Sequence, residues 1–553
     1  MAQVIIGDLI MTHGKLWWRD GVIYQIYPRS FADSNGDGVG DLPGIISKLD
    51  VLRDLGVDAI WLSPIYPSPM KDFGYDVSDY YGVDPVFGTL ADFDALLREA
   101  HARDIHVVMD MVMNHTSDEH PWFVESRASR DNPRRDWYIW RPPSSSRLRG
   151  EHKGGRPPNN WASVFGGSAW EFDAQTGQYY LHLFDSGQPD LNWRNPQVKQ
   201  AMFDACRFWL DRGVDGFRLD VAHMLFKHPD LPDNPRKFGR RAYERQYHFY
   251  HENLPETHAL WREFRTLLDA YPERMAVGEV SPDVAHTYYG NGDDELHLAF
   301  NFGLMRLPWN PRAFQRAIVE HEARLPDGAW PCWVLSNHDS VRHISRWGSG
   351  AEGDARAKVA ATLLLTLRGT PFLYYGEEIG MRQARIPRAE IVDPPGRRYW
   401  PFYGGRDGCR TPMQWDATPN AGFSAGKPWM RLSRDVDRIN VERELADPDS
   451  LLNLYRRLIA LRKVMPALHR GSYRPLIERP REVMAYLREH ESQSVLVCLN
   501  FASRTARFDL EAARAAHGAW KVLLSTTTRS REGMSVGGEV TLYPNEALVL
   551  ERV

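Results

Sequence analysis

The strongest constraint on this chain is a rhythm of short apolar runs. Eight of them recur through its first two thirds: Val22–Tyr27, Ala59–Ser63, His106–Met111, Gly216–Asp220, Ala276–Val280, Leu296–Phe302, Trp333–Asn337 and Phe372–Tyr375. Each is brief, β-branched or aromatic, and bounded by turn formers, the pattern of a β-strand. Segments such as Leu90–Arg103 and Pro196–Arg212 precede several of them, with apolar residues at three- and four-residue spacing. That spacing marks amphipathic helices. Eight strands alternating with helices predict an α/β fold, a closed parallel (β/α)8 TIM barrel rather than an open sheet.

The rhythm breaks after the third strand. Residues 114–190 are rich in Pro, Gly, Ser, Arg and Trp, and Arg141–Asn160 reads as loop. This is too long for a connection and predicts an inserted subdomain. A second irregular stretch, Arg382–Trp429, follows the eighth strand. Loops at that end of a barrel build the active site, so both are expected to face it. Beyond the helix-like Leu451–Val464, runs at Val483–Arg488, Ser494–Asn500, Trp520–Ser525 and Glu546–Arg552 alternate with polar turns. They predict a C-terminal antiparallel β domain over 471–553, with the barrel assigned to 1–113 and 191–470.

Composition excludes several function classes. A net charge of -4 over 553 residues leaves no footprint for nucleic acid and no polybasic membrane patch. No stretch approaches the ~20 apolar residues that span a bilayer. The apolar run in Met1–Asp8 is too short for a signal-peptide core, so a cytoplasmic location is expected. Cys206, Cys332, Cys409 and Cys498 lie far apart without a CxxC pair, which fits reduced thiols. His248, His251 and His258 lack the companions of a zinc motif and read as a solvated surface. Gly348-Ser349-Gly350 has no following Lys, so it is no phosphate loop, and no organic cofactor is implied. Aromatic residues crowd loop segments such as Trp137–Trp140 and Tyr399–Tyr403, where they either stack on sugar rings or anchor loops to the core.

Acidic residues fall where chemistry is built. Side chains at the C-terminal tips of barrel strands point into the catalytic mouth. Three predicted strands end in a carboxylate: Gly216-Phe217-Arg218-Leu219-Asp220, Val277-Gly278-Glu279 and Ser336-Asn337-His338-Asp339. A fourth supplies Asp110-Met111-Val112-Met113-Asn114-His115. Clustered acids repel, so four tips carrying them beside Arg and His point to use rather than chance. Glycoside hydrolysis needs such a set: one carboxylate attacks the anomeric carbon while an acid protonates the leaving oxygen.

These four segments, in this order, resemble the motifs of the α-amylase superfamily of glycoside hydrolases, in its α-glucosidase and oligo-1,6-glucosidase branch. The resemblance extends from Gly21–Pro28 through the tail. It implies Asp220 as nucleophile, Glu279 as general acid/base and Asp339 as transition-state stabiliser. Arg218 would orient Asp220, and His115 and His338 would bind hydroxyls of a terminal glucose. In Asp72-Phe73-Gly74-Tyr75-Asp76, Tyr75 would stack on that glucose and Asp72 would hold its far hydroxyls, with Asp76 structural. Arg410 would pair with Asp72, closing the non-reducing end and enforcing exo action. Gln188-Pro189-Asp190-Leu191-Asn192 resembles the signature of members acting on small substrates. Val221, after the nucleophile, often accompanies α-1,6 activity in related enzymes.

The implied activity is retaining hydrolysis of short α-glucosides. Transglucosylation or isomerisation of disaccharides is the alternative, since relatives of both kinds share these motifs. A non-catalytic transporter-associated homologue would lose acids or carry a membrane helix, and neither is seen.

One further constellation, Asp33-Ser34-Asn35-Gly36-Asp37-Gly38-Val39-Gly40-Asp41, alternates oxygen donors like an EF-hand loop, although Gly44 stands where the closing Glu would be. It also resembles the structural calcium loop of this branch. Asp33, Asn35, Asp37, Asp41 and the Val39 carbonyl are the expected ligands for Ca2+ or Mg2+.

Overall fold

All eight apolar runs are strands: β1 (Ile23–Ile26), β2 (Ala59–Leu62), β3 (His106–Met111), β4 (Gly216–Leu219), β5 (Met275–Gly278), β6 (Leu298–Asn301), β7 (Cys332–Val334) and β8 (Thr370–Tyr374). The computed structural model describes residues 16–144, 155–491, 493–511 and 518–553. Residues 1–8 and 145–154, which enter the sequence reading above, lie outside the described residues. Each strand pairs in parallel with the next, and β8 returns to β1 with Ile23 opposite Phe372, closing the barrel.

Helices cover the outside, so the strands are buried on both faces and read as continuous apolar runs. The helix Leu90–His101 starts at a capping box formed by Thr89 and Asp92. The helix Pro196–Asp211 starts with proline behind the Asn195 cap and buries Val198, Met202, Cys206 and Trp209. Inside the barrel, rings from strands that are not neighbours meet. Trp61 of β2 lies 5.5 Å from Phe300 of β6, which lies 4.8 Å from Phe372 of β8. This packed layer forms the base on which the polar mouth stands.

The segment after β3 carries the helix Pro121–Ala128 and a small antiparallel sheet in the order Trp140–Arg141, Gln178–Leu181, Trp170–Asp173. Bridges between His115 and Asp190, and between Tyr138 and Leu191, return the chain to the barrel rim.

Past the helix Leu451–Val464, a six-stranded antiparallel sheet runs in the order Ser472–Pro475, Val483–His490, Gln493–Asn500, Ala547–Arg552, Trp520–Ser525, Ser535–Val536. Its alternation is clean. Met484, Tyr486, Val495, Val497 and Leu499 pack into the main core. Val483, Ala485, Leu487, Leu496 and Cys498 face the other way, against Phe508, Val540 and Leu542 of a two-stranded sheet. The two-residue period places alternate side chains on opposite faces. Among the described residues, no helix is long and apolar enough to cross a membrane.

Candidate active site

Strand register assembles the centre of the site. Asp110 of β3 sits opposite Arg218 of β4, and β4 then pairs with β5, whose next residue is Glu279. Because alternate residues of a strand point the same way, Arg218 and Asp220 enter the mouth together. Arg218 Nη1 donates to Asp110 Oδ1 and to Asp220 Oδ1, both at 2.8 Å, while Nη2 donates to Glu279 Oε2. One guanidinium therefore gathers three carboxylates. Its plane rests above Trp61, 5.2 Å from the ring centroid.

The three acids differ in exposure. The Asp110 side chain is sealed at 0%, that of Asp220 shows 8% and that of Glu279 shows 19%. Glu279 is thus the most open of the three. Burial, together with the negative Glu279, pushes the Asp110 carboxyl up to about 6 against the pull of Arg218. Burial likewise raises Asp220, with Glu279 and Asp110 repelling its charge. Asp110 and Asp220, two close acids behind one cation, are therefore both raised by burial and mutual repulsion.

The residue after Asp220 is strained. Val221 has φ of 36°, in the left-handed region that a β-branched side chain avoids. The turn carries the Ala222 N–H to the Glu279 carbonyl at 2.9 Å, tying the ends of β4 and β5 together.

A hydrogen-bond chain supports the acids from behind. Gln25 Nε2 reaches His338 Nδ1 at 2.7 Å, His338 Nε2 reaches Tyr75 Oη at 2.8 Å, and Tyr75 donates to Asp110 Oδ2 at 2.9 Å. If the Gln25 amide donates, His338 carries its proton on Nε2 and every link is satisfied. Burial lowers His338 to about 3, so it is neutral at ordinary pH. His115 is also buried and neutral, lowered to about 4, with Nε2 at 3.1 Å from the Tyr75 carbonyl.

On the opposite wall the structure corrects one expectation. Arg410 does not pair with Asp72. Its Nη2 donates to Asp339 Oδ1 at 2.8 Å and its Nε to the His338 carbonyl at 2.8 Å. The partner of Asp72 is Arg406, whose Nη2 lies 2.6 Å from Asp72 Oδ1 and 2.6 Å from Asp393 Oδ1. The two arginines flank the three-residue 3-10 turn Asp407–Cys409, and the path of the backbone through it decides which acid each meets. Arg406 also reaches Asp339 at 3.3 Å. Burial alone would raise Asp339, but His338, Arg406 and Arg410 outweigh it and hold this carboxyl below the usual range. Asp72 shows the reverse balance. Burial dominates and brings it to about 6 despite Arg406 and Arg410.

Asp76 serves the loop: it accepts from the Ser68 hydroxyl and from the N–H groups of Lys71 and Asp72. Gln188 sits within 3.2 Å of both Asp72 and His115. The two irregular insertions meet beside the site, where Arg398 donates to the carbonyls of Phe165 and Gly166. Arg406 lies over the Phe165 ring at 5.1 Å. Sequence reasoning missed Arg406, Asp393 and Gln25. A Gln in an apolar strand was a usable signal for the last; the loop offered none for the others.

The profile of the alpha amylase catalytic domain matches residues 25–471, and that of the maltogenic amylase C-terminal domain matches 473–547. The chain belongs to the alpha-amylase family. It is a glycoside hydrolase by that membership. An oligo-1,6-glucosidase of Parageobacillus thermoglucosidasius is 43% identical over 530 residues, covering 90% of this chain and 92% of the relative. The solved alpha-glucosyl transfer enzyme XgtA superposes with a TM-score of 0.90 at 43% identity, covering 98% of this chain and 100% of that one. Trehalulose synthase MutB from Pseudomonas mesoacidophila MX-45 superposes with a TM-score of 0.87 at 35% identity, covering 97% and 100%.

The expected cation loop carries several oxygen donors, and hydrogen bonds within the turn use many of them. Asp33, Asn35 and Asp37 each accept a backbone N–H bond within the turn, from Gly36, Asp37 and Val39 respectively. Gly38 is required: it has φ of 90°, and a Cβ there would lie 1.9 Å from the Lys427 carbonyl oxygen. Asp41 has a second duty, capping the helix Leu42–Ser47 through the Gly44 N–H at 2.6 Å. Separately, His248 and His251 do not form the solvated surface expected of them. His251 is fully buried, and the His248 side chain is only 11% exposed.

Proposed function

We propose that this enzyme is a retaining, exo-acting α-glucosidase of short α-glucosides. The observation that carries the reading is the single guanidinium of Arg218 holding Asp220 and Glu279 at its two ends. This arrangement suits an attacking carboxylate and a proton donor working on one bond. The Asp72–Arg406 pair supports exo action by blocking the wall beyond a terminal glucose.

In this mechanism Asp220 forms a bond to the anomeric carbon as the glycosidic C–O bond breaks. Glu279 gives its proton to the departing oxygen. Asp339 stays ionised and holds ring hydroxyls, while neutral His115 and His338 hydrogen-bond the same glucose and Tyr75 packs on its face. Glu279, now a carboxylate, takes a proton from water, whose oxygen attacks the anomeric carbon and releases Asp220. Two inversions leave α-glucose.

We place Asp33, Asn35, Asp37, Asp41 and the Val39 carbonyl as the holders of Ca2+ or Mg2+, a fold-stabilising ion apart from the chemistry. Four buried free cysteines, Cys206, Cys332, Cys409 and Cys498, support a reducing, cytoplasmic setting.

The similarity to a transfer enzyme and to a trehalulose synthase supports a second reading, in which a sugar hydroxyl replaces water. Product analysis on maltose, isomaltose and sucrose separates the two. Free glucose released first as the α anomer is expected. Release of β-glucose would refute retention, and isomerised disaccharide in excess of glucose would favour the second reading.

A further inference from the structure

A cluster outside the reaction path holds an unused imidazole. His248, His251 and Glu252 each bring a ligating atom within 4.8 Å of the other two. They stand on the segment between β4 and the helix Pro255–Asp269. His251 is fully buried under Trp161, whose ring lies 4.5 Å away, and its Nε2 is sealed without a hydrogen-bond partner. A buried polar atom with no partner costs stability unless something satisfies it.

The second histidine gives an independent argument. His248 Nε2 lies 2.9 Å from the Tyr243 carbonyl, which can only accept, so Nε2 carries a proton. Its other nitrogen, Nδ1, lies 2.9 Å from Glu252 Oε1. A nitrogen lone pair and a carboxylate oxygen at that distance repel unless a cation stands between them. That cation is a proton, on the imidazole or on the carboxylate that also accepts from the Tyr243 hydroxyl, or a metal ion.

His251 follows the same pattern. Its Nδ1 is 3.3 Å from the Asn234 side-chain amide, whose Oδ1 as placed is buried without a partner. Turning that amide over gives up its 3.5 Å contact from Nδ2 to Gln246 Oε1, lets its oxygen accept from Nδ1–H and leaves the Nε2 lone pair free. Each ring is then oriented by an oxygen on one nitrogen and offers the other, the arrangement typical of metal-ligating histidines.

We infer that His248, His251 and Glu252 form a binding site for a divalent transition metal, with Zn2+ the best match. Two imidazoles and one carboxylate suit Zn2+, which accepts three protein ligands and keeps a position for water. Calcium and magnesium prefer a fuller set of oxygens, which the Asp33–Asp41 loop offers and this cluster does not. With Zn–ligand bonds of about 2.0–2.1 Å, the ligands of a tetrahedral ion sit about 3.4 Å apart.

The ion braces a loop that touches the catalytic strands. The Asn253 N–H donates to the His223 carbonyl at 2.8 Å, and His223 Nδ1 lies 3.3 Å from the Glu279 carbonyl. Zn2+ is thus a structural ion next to, and not part of, the acid/base machinery.

The test is equilibrium dialysis of the whole chain against Zn2+ with excess Ca2+ present to fill the oxygen-rich loop. One Zn2+ per chain is expected. His248→Gln, His251→Gln and Glu252→Gln should each weaken it at least about tenfold. Co2+ in place of Zn2+ should give tetrahedral ligand-field bands that the same variants lose. Should the buried His251 variant fail to fold, the two at the rim decide the question. No Zn2+ on the wild type, or equal uptake by wild type and variants, overturns the site.

Discussion

Arg406 stands between three acids, with Asp72 and Asp393 each at 2.6 Å and Asp339 at 3.3 Å. It joins the wall that would receive the far hydroxyls of a sugar to the acid that would steady its charged transition state. Removing one partner of a buried pair leaves an uncompensated charge and costs roughly 3–5 kcal/mol. Arg406→Met is expected to lower kcat/KM by at least about 100-fold, the equivalent of about 2.7 kcal/mol. Arg410→Met, which leaves Asp72 paired, should act mainly through kcat. Steady-state kinetics on maltose and isomaltose check both, and an unchanged KM for Arg406→Met would remove it from the substrate wall.

Asp220→Asn removes the attacking oxygen from a crowded, mutually repelling set. Turnover should fall by about 10⁴-fold or more, while the melting temperature should not drop, because repulsion among Asp110, Asp220 and Glu279 is relieved. Glu279→Gln should behave differently. Proton donation is worth about 10²–10⁴-fold, and a substrate whose leaving group needs no proton should recover most of it. Comparing an aryl glucoside of an acidic phenol with maltose measures that recovery; equal losses on both would show that Glu279 is not the acid.

The raised Asp72 carboxyl sets a direction for stability against pH. Native Asp72 holds its proton up to about 6, whereas its ordinary value is 3.8. Between these values the native state binds more protons than the unfolded chain, so this contribution to stability falls as pH rises through the window. The shift corresponds to roughly 3 kcal/mol. Asp72→Asn should therefore flatten the fall in unfolding free energy between about pH 4 and 6. Denaturant unfolding across that range checks it, and an unaltered slope would show that Asp72 titrates normally.

Calcium should stabilise the fold without touching turnover of the folded enzyme. At 100 times its Kd, a ligand that binds only the native state adds about 2.7 kcal/mol. Chelation should lower the melting temperature and added Ca2+ restore it, with Asp37→Ala abolishing the response. A calcium-dependent kcat at a temperature where the protein stays folded would contradict a purely structural ion.

The barrel and the acids at its strand tips were legible in the chain itself. A strand buried on both faces must be apolar throughout, so β1 to β8 stand out, and the acids beyond the C-terminal ends of β4, β5 and β7 fall at the mouth. That reasoning marked Asp110, Asp220, Glu279 and Asp339 among 72 acidic residues, and the family resemblance assigned three of them their expected roles. Only the folded structure could settle what the loops do. Arg406 and Arg410 lie in a segment without periodicity, and nothing local decides which of them meets Asp72. His251 looks solvated in its own polar neighbourhood and becomes buried because Trp161 covers it from the insertion 90 positions earlier. Periodic patterning encodes which face of an element is dry, whereas partners brought together by long irregular loops are chosen by the three-dimensional path of the backbone.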